Sequence, residues 1–361
     1  MTFHKNTSFT RTQVSQEHKY RQEHILRNGY EAFKKLDLNT ALSERRVMRD
    51  MLQEMRSTSK EGFNHSSCEA LEFKLVIHKG FNLISGIHSP EVVDQIHNFE
   101  IRDSDVFVIT YPKSGTVWLQ QILRLIEVKG DVTATNDRLN SERIPWMELL
   151  ESEKQFVSAP SPRIHVSHLP YRFMPLGLKQ KKGKVIYVAR NPKDVLVSYF
   201  HFHKFANMLE TPKDFDTFFE KFLEGNVFGN CWFEHVKSWC CHSDEMNFLY
   251  ITYEEMIKDL RPVVERIVSF LGMDLTPQQL NDVVEHSTFR NMKNNPQANY
   301  QQVPGLLLNH QLGAFLRKGT VGDWKNYFTV AHNERFDKVY QEKIKDIPLS
   351  FMWDMSDLVT P

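Results

Sequence analysis

From about residue 70 onward, short apolar runs alternate with longer stretches in which apolar residues recur every three or four positions. Asp105-Val-Phe-Val-Ile-Thr110, Arg163-Ile-His-Val-Ser167, Lys184-Val-Ile-Tyr-Val-Ala189 and Asn247-Phe-Leu-Tyr-Ile-Thr252 read as strands. Their largely unbroken apolar character is that of parallel strands covered on both faces. Between them the spacing predicts helices. Residues 116–128 place Trp118, Ile122, Leu125 and Ile126 on one face, and residues 192–205 open with a proline suited to a first helical turn. Pro262 is read as opening a further helix through Val263, Val264, Ile267, Val268 and Leu271, which Gly272 can end. Strands separated by helices imply an α/β fold, a central parallel sheet flanked by helices.

Residues 1–70 break this pattern. They are polar, with one stretch of helical spacing (Val47, Met48, Met51, Leu52, Met55 in residues 43–55) before the linker Ser57-Thr-Ser-Lys-Glu-Gly62. The reading is a largely flexible N-terminal extension with one marginal helix, followed by a single domain over residues 71–361. Length alone, 361 residues, admits two domains. Apolar residues at 41 % and aromatics at 12 % suffice for a large core, which excludes a disordered or fibrous chain.

Charge changes the picture more. The 45 Lys+Arg balance 45 Asp+Glu, which argues against a nucleic-acid-coating protein. Residues 1–60 hold 12 basic against 7 acidic residues and the remainder 33 against 38, so any anion-binding region must rely on a few placed groups. No run of eighteen apolar residues predicts a membrane span, and the polar first thirty residues do not form a secretory signal. Arg11, Arg21 and Arg27 are interspersed with Glu17 and Glu23, unlike acid-poor transit peptides. The four cysteines, Cys68, Cys231, Cys240 and Cys241, form no CxxC pair, so neither a disulfide framework nor a metal site is expected. A cytoplasmic protein is the resulting expectation.

Ligands of parallel α/β folds gather at the carboxyl ends of the strands. The first such turn, Tyr111-Pro-Lys-Ser-Gly-Thr-Val-Trp118, sets a lysine, two hydroxyls and a glycine between strand and helix. Gly115 lets the backbone approach an anion, the helix amides point at it, and Lys113 adds a point charge. This P-loop-like cradle lacks the glycine spacing of a Walker loop and any evident Mg²⁺ ligand, and a capped surface turn fits it as well. Arg190, in Val188-Ala-Arg-Asn-Pro-Lys-Asp194, suits either a bidentate phosphate grip or a structural ion pair, with Ser198 further along the same helix. A third cluster, Phe315-Leu-Arg-Lys-Gly-Thr-Val-Gly-Asp-Trp-Lys325, suits a loop folding over a polyanion.

These three motifs, in this order and spacing from about residue 73 to 350, resemble the cytosolic sulfotransferase family. The resemblance implies transfer of a sulfonyl group from 3'-phosphoadenosine 5'-phosphosulfate (PAPS) to a hydroxyl or amine of a small molecule. It assigns Lys113, Ser114, Gly115, Thr116, Val117 and Trp118 to the 5'-phosphosulfate, and Arg190, Ser198, Arg317, Lys318 and Gly319 to the 3'-phosphate. Trp118 and Phe289 would sandwich the adenine, with Tyr253 and Ser287 on the base; without the family match, Trp118 reads as core. His168, in Ser167-His-Leu-Pro170, matches the catalytic histidine, with Lys113 and Ser198 completing the catalytic set. Trp146 and Phe202, beside His168, would line the acceptor pocket, although Phe202 fits the core equally well. Glu148 reads either as a partner for a cationic amine or as a paired structural carboxylate.

Two positions depart from the family. Val166 stands where many members have lysine, and Val117 where a second threonine is common, which puts turnover in question rather than cofactor binding. The alternatives are therefore a PAPS-binding protein with little turnover and a small-molecule or nucleotide kinase. Lys325-Asn-Tyr-Phe-Thr329-Val330-Ala-His-Asn-Glu334 fits the pattern of a small homodimer contact in the family.

Overall fold

The computed structural model describes residues 73–149, 159–345, 347, 349–354 and 356. The extension expected over residues 1–70, with its helix at 43–55, lies outside the described residues. The chain divides into two units, residues 73–302 with 310–361, and residues 1–72 with 303–309. Every element named here belongs to the former.

An antiparallel hairpin of β1 (Leu75–His78) and β2 (Phe81–Ile84) leads in, an element the sequence reading did not anticipate. Helix α1 (Pro90–His97) follows. The sheet comprises β3 (Val106–Thr110), β4 (Ile164–Ser167), β5 (Lys184–Ala189) and β6 (Phe248–Thr252), all parallel, in the order β4-β3-β5-β6. Val108 stands opposite Val166 on one side and Ile186 on the other. All four strands are those expected from the apolar runs, and β3, β4 and β5 are almost wholly buried.

Helices cover both faces. On one face α2 (Thr116–Glu127) and α7 (Leu260–Leu271) bury Leu119, Ile122, Ile126, Val264 and Ile267 against Val108, Val166 and Ile186. Each such side chain contributes roughly 1.5–3 kcal/mol when fully buried. On the other face Tyr187 stacks on His235 and lies against Trp239, both from α5 (Trp232–Cys240). Further helices are α3 (Pro192–Phe205), α4 (Phe215–Glu224), α6 (Tyr253–Lys258), α8 (Pro277–His286), α9 (Phe289–Lys293) and α10 (Val330–Ile344).

One boundary differs from expectation. α7 begins two residues before Pro262, at Leu260, because the Asp259 carboxylate accepts the Arg261 N–H and caps the helix there. Proline is tolerated inside the first turn, whose N–H groups lack helical acceptors. Gly272 ends the helix in the left-handed region (φ 71) as expected.

The strand order has a functional consequence. The chain passes from β3 outward to β4 and then back across to β5, which makes the crevice beside β3 a topological switch point. The loop after β3 opens into that crevice, and the residues following β4, β5 and β6 converge on the same end of the sheet.

Candidate active site

The turn from β3 into α2 is shaped for an anion. Lys113 (φ 69) and Gly115 (φ 112) both take the left-handed region, which for a lysine costs about 1 kcal/mol or more. Gly115 occupies the N-cap of α2 and carries no side chain to satisfy the first-turn N–H groups. By contrast, α3, α4, α7 and α8 are capped by the side chains of Asn191, Asp214, Asp259 and Thr276. The amides at the start of α2 are thus left for a ligand. A methyl group on Gly115 would meet the Tyr253 ring at 3.1 Å, so the glycine also lets α6 close against the turn.

The Lys113 ammonium lies over the faces of Phe202 and Phe315, 4.1 and 4.0 Å from the ring centroids. Burial, then the nearby Arg190 and Arg317 charges, hold its pKa down to about 7. An ammonium whose charge is opposed by burial and by two neighbouring cations calls for an anion.

Arg190 follows the last residue of β5. Its guanidinium donates to Lys113 O (3.1 Å) and Thr320 O (3.2 Å) and lies 4.1 Å over the Tyr253 ring. Among the described residues it pairs with no carboxylate and instead bridges the β3 turn and the basic loop. Asp194 fastens that loop to α3, accepting from the N–H groups of Gly322 (2.8 Å) and Trp324 (3.0 Å). Arg317 (2.6 Å) and Lys318 both donate to Asp323. Burial pushes the Asp323 carboxyl up, but the hydrogen bonds from Lys318, Arg317 and Asn326 outweigh it and bring the pKa down to about 2.

Trp118 is half-buried; its indole N–H donates to Ser287 O (2.7 Å) and its ring meets Tyr253 edge-on at 5.4 Å. Gly319 (φ 65) lies so close to Phe289 that an added methyl would sit 2.3 Å from the ring. Lys113, Gly115, Trp118, Arg190, Tyr253, Ser287, Phe289 and the Arg317–Gly319 loop are therefore gathered at one place, from five separate stretches of chain. The Val117 side chain packs with Met292 and Ala298, so only its backbone can serve a ligand. Ser198 is half-buried on α3, one helical turn before Phe202 and on the same face. Val166 belongs to the apolar core.

His168 stands at the carboxyl end of β4. Its Nδ1 lies 2.7 Å from the Thr110 carbonyl, which can only accept, so Nδ1 carries the proton and Nε2 a lone pair. Burial lowers its pKa to about 3, against the raising effect of that hydrogen bond, so the ring is neutral at physiological pH. Trp146 packs on it at 4.6 Å and Phe228 edge-on at 6.0 Å. Phe202 is buried between Phe205, Phe315 and the Lys113 ammonium, serving both the core and the site. Glu148 is 1 % exposed and accepts the His168 N–H (2.8 Å) through Oε1, which favours the reading as a paired structural carboxylate.

Three residues that the sequence reading missed complete the site: Thr110, Phe315 and Asp323. Asp323 stood within a quoted motif, but nothing in the motif distinguishes a ligand-facing loop charge from an internal counter-ion.

A polyanion cradle at the switch point, with a neutral histidine on the neighbouring strand, defines an enzyme that transfers a group from a phosphorylated donor. The comparisons narrow this class. Residues 103–348 match the family model described as "Sulfotransferase domain". The chain is 46 % identical over 285 residues to an amine sulfotransferase of Oryctolagus cuniculus, covering 78 % of this chain and 95 % of the relative. It is 42 % identical over 268 residues to the 3-beta-hydroxysteroid sulfotransferase of Cavia porcellus, covering 74 % and 93 %. Among solved structures it is similar to a mouse sulfotransferase complexed with PAP, with TM-score 0.65 and 33 % identity over 76 % of this chain and 95 % of that one. The chain belongs to the sulfotransferase family, and the kinase alternative falls away.

Proposed function

We propose that this sulfotransferase moves the sulfonyl group of PAPS onto a hydroxyl or amine of a small acceptor, with His168 as general base. The observation that carries this reading is the His168 ring: Nδ1 is spent on the Thr110 carbonyl, and Nε2 has no hydrogen-bond partner among the described residues. The donor fits the cradle on three further counts. Ser114 Oγ, Ser287 Oγ and Arg190 Nε are buried without partners among the described residues, each a polar atom that an adenosine bisphosphate can satisfy.

PAPS supplies an activated sulfonyl group: the acceptor oxygen or nitrogen forms a bond to sulfur as the bond from sulfur to the bridging phosphate oxygen breaks, releasing PAP. His168 Nε2 takes the acceptor's proton. Lys113 neutralises charge growing on the bridging oxygen, and the first-turn amides of α2 with Ser114 and Thr116 hold the 5'-phosphate. Arg190, Ser198 and the Arg317–Gly319 loop hold the 3'-phosphate, and Trp118, Tyr253, Ser287 and Phe289 the base. Trp146 and Phe202 present ring faces to the acceptor, which favours a flat or alicyclic body. Relatives named for amines and for hydroxysteroids support both acceptor classes.

The same reading includes a homodimer contact at residues 325–334 and a reducing, cytoplasmic setting. Val330, 76 % exposed at the start of α10, supports the contact, while Lys325 is paired with Asp354 of its own chain, so the contact does not depend on that charge. Cys231, Cys240 and Cys241 are free thiols, and no helix among the described residues is long and apolar enough to cross a membrane.

The test is to incubate the protein with labelled PAPS and a panel of phenols, alcohols and amines, with PAP affinity measured in parallel. His168→Ala should lower transfer by about 10²- to 10⁴-fold while PAP affinity holds. Unchanged turnover in that variant rejects His168 as the base.

A further inference from the structure

We infer that Glu148 is a positioning residue for sulfonyl transfer, its carboxylate holding the main chain at His168 so that Nε2 faces the acceptor. This rests on the reading of His168 as the base.

The segment containing Glu148 runs along the open edge of β4. Val166 N–H donates to Pro145 O and Met147 N–H to Val166 O, both at 3.0 Å, so residues 145–147 pair with β4 as a short extra strand. The chain turns at residues 147–148, which keeps Trp146 and Glu148 both beside His168. Trp146 accordingly packs on the His168 ring at 4.6 Å, and Glu148 Oε1 reaches the His168 N–H at 2.8 Å. His168 is the first residue beyond β4, and its N–H is satisfied by this carboxylate rather than by a strand. On its other side, His235 Nε2 donates to the His168 carbonyl (3.1 Å), and His235 Nδ1 accepts from the Tyr187 hydroxyl (3.0 Å). With Nδ1 tied to Thr110 O, every polar atom of His168 except Nε2 is fixed.

Space filling alone does not explain a carboxylate here. Burial raises the Glu148 pKa to about 7 in spite of hydrogen bonds from His168 and Ser167. Leucine or methionine would fill the same volume without that desolvation cost. What the carboxylate adds is an acceptor aimed at one N–H, and a displacement of about 1 Å at a reacting group can cost around 10²-fold in rate.

The experiment compares Glu148→Leu, Glu148→Gln and Glu148→Asp, using whichever compound of the phenol, alcohol and amine panel turns over fastest. Glu148→Leu should lower kcat by about 10- to 100-fold with acceptor KM and PAP affinity nearly unchanged. Glu148→Gln keeps an acceptor oxygen and should retain most of the rate. Glu148→Asp keeps the charge but withdraws the oxygen by about 1.5 Å, and should lose rate. In a His168→Ala background Glu148→Leu should have no further effect on the residual rate. If Glu148→Leu does not fold, the Gln and Asp pair decides alone. Retained rate in Asp with loss in Gln overturns the inference, as does a kcat loss that tracks PAP affinity. An active His168→Ala enzyme would instead overturn the reading of the base.

Discussion

Lys113 should make cofactor binding take up a proton. In the free protein its charged form is held by burial, Arg190 and Arg317 at a pKa of about 7, against an ordinary 10.5. That difference represents up to about 5 kcal/mol stored against the charged ammonium. A bound 5'-phosphate supplies the missing counter-charge and returns the pKa toward its ordinary range. The bound state then holds the proton more tightly than the free state, so binding is fully supported below pH 7 and weakens as pH rises through that value. The slope approaches tenfold in affinity per pH unit well above pH 7, and about 0.9 proton should be taken up per PAP at pH 8. Ionisation of the nucleotide's own phosphates near pH 6 works in the opposite direction, so affinity should peak close to neutrality. Calorimetric titration with PAP, in buffers of different ionisation enthalpy from pH 6 to 9, measures both quantities. Glu254, which burial raises to about 7, lies behind Arg190 and also titrates in this window. Lys113→Met isolates the lysine: it should abolish the proton uptake and flatten the alkaline limb. Constant affinity from pH 7 to 9 in the native protein, with no proton taken up, would refute the reasoning.

Three further outcomes are expected. Gly319→Ala, whose methyl would sit 2.3 Å from the Phe289 ring at a left-handed backbone position, should weaken PAP binding by about tenfold or more. Thermal unfolding of the PAP-free protein should move little, and unchanged affinity would separate Gly319 from the nucleotide site. His88, His165, His168, His203 and His235 all have pKa values lowered by burial to about 3 or 4, so the stability they contribute is complete above pH 6.5 and is lost as pH falls toward 4. Each gives up about 1.4 kcal/mol per pH unit below 6.5. Glu148 and Glu254, raised to about 7, oppose this between pH 7 and 4.5, but two groups do not balance five, so the urea midpoint should drop between pH 7.5 and 5.5. Val330→Glu should convert a dimer to a monomer in size-exclusion chromatography with light scattering; an unchanged mass would place any dimer contact elsewhere.

The sheet and the turns that gather most of the candidate-site residues were legible because their signals are local. An unbroken apolar run followed by Pro-Lys-Ser-Gly or His-Leu-Pro states both the strand and the polar turn at its carboxyl end. The start of α7 was misplaced because Asp259 and Pro262 offer competing local signals, and the capping carboxylate prevailed. What stayed hidden depends on distant pairings. Thr110 reaches His168 across 58 residues, Asp194 reaches Gly322 across 128, and no spacing rule reports either. Glu148 was ambiguous for the same reason, since its role is set by the edge pairing of residues 145–147 with β4. Sequence shows which residues carry charge, but only the fold shows which charges are already spent.

Asp323 gives that distinction a physical meaning. It already occupies Arg317 and Lys318 in the free protein, so the basic loop arrives at its ligand with its own internal anion in place. In the proposed site, capture of the 3'-phosphate would be an exchange of one counter-ion for another, with the displaced carboxylate still nearby. Much of the attraction that a naked basic loop would offer is cancelled in advance, and any passing single charge gains little by competing. On the proposed reading, a doubly charged phosphate held at the same time by Arg190 would gain enough, and the internal carboxylate would trade raw affinity for discrimination.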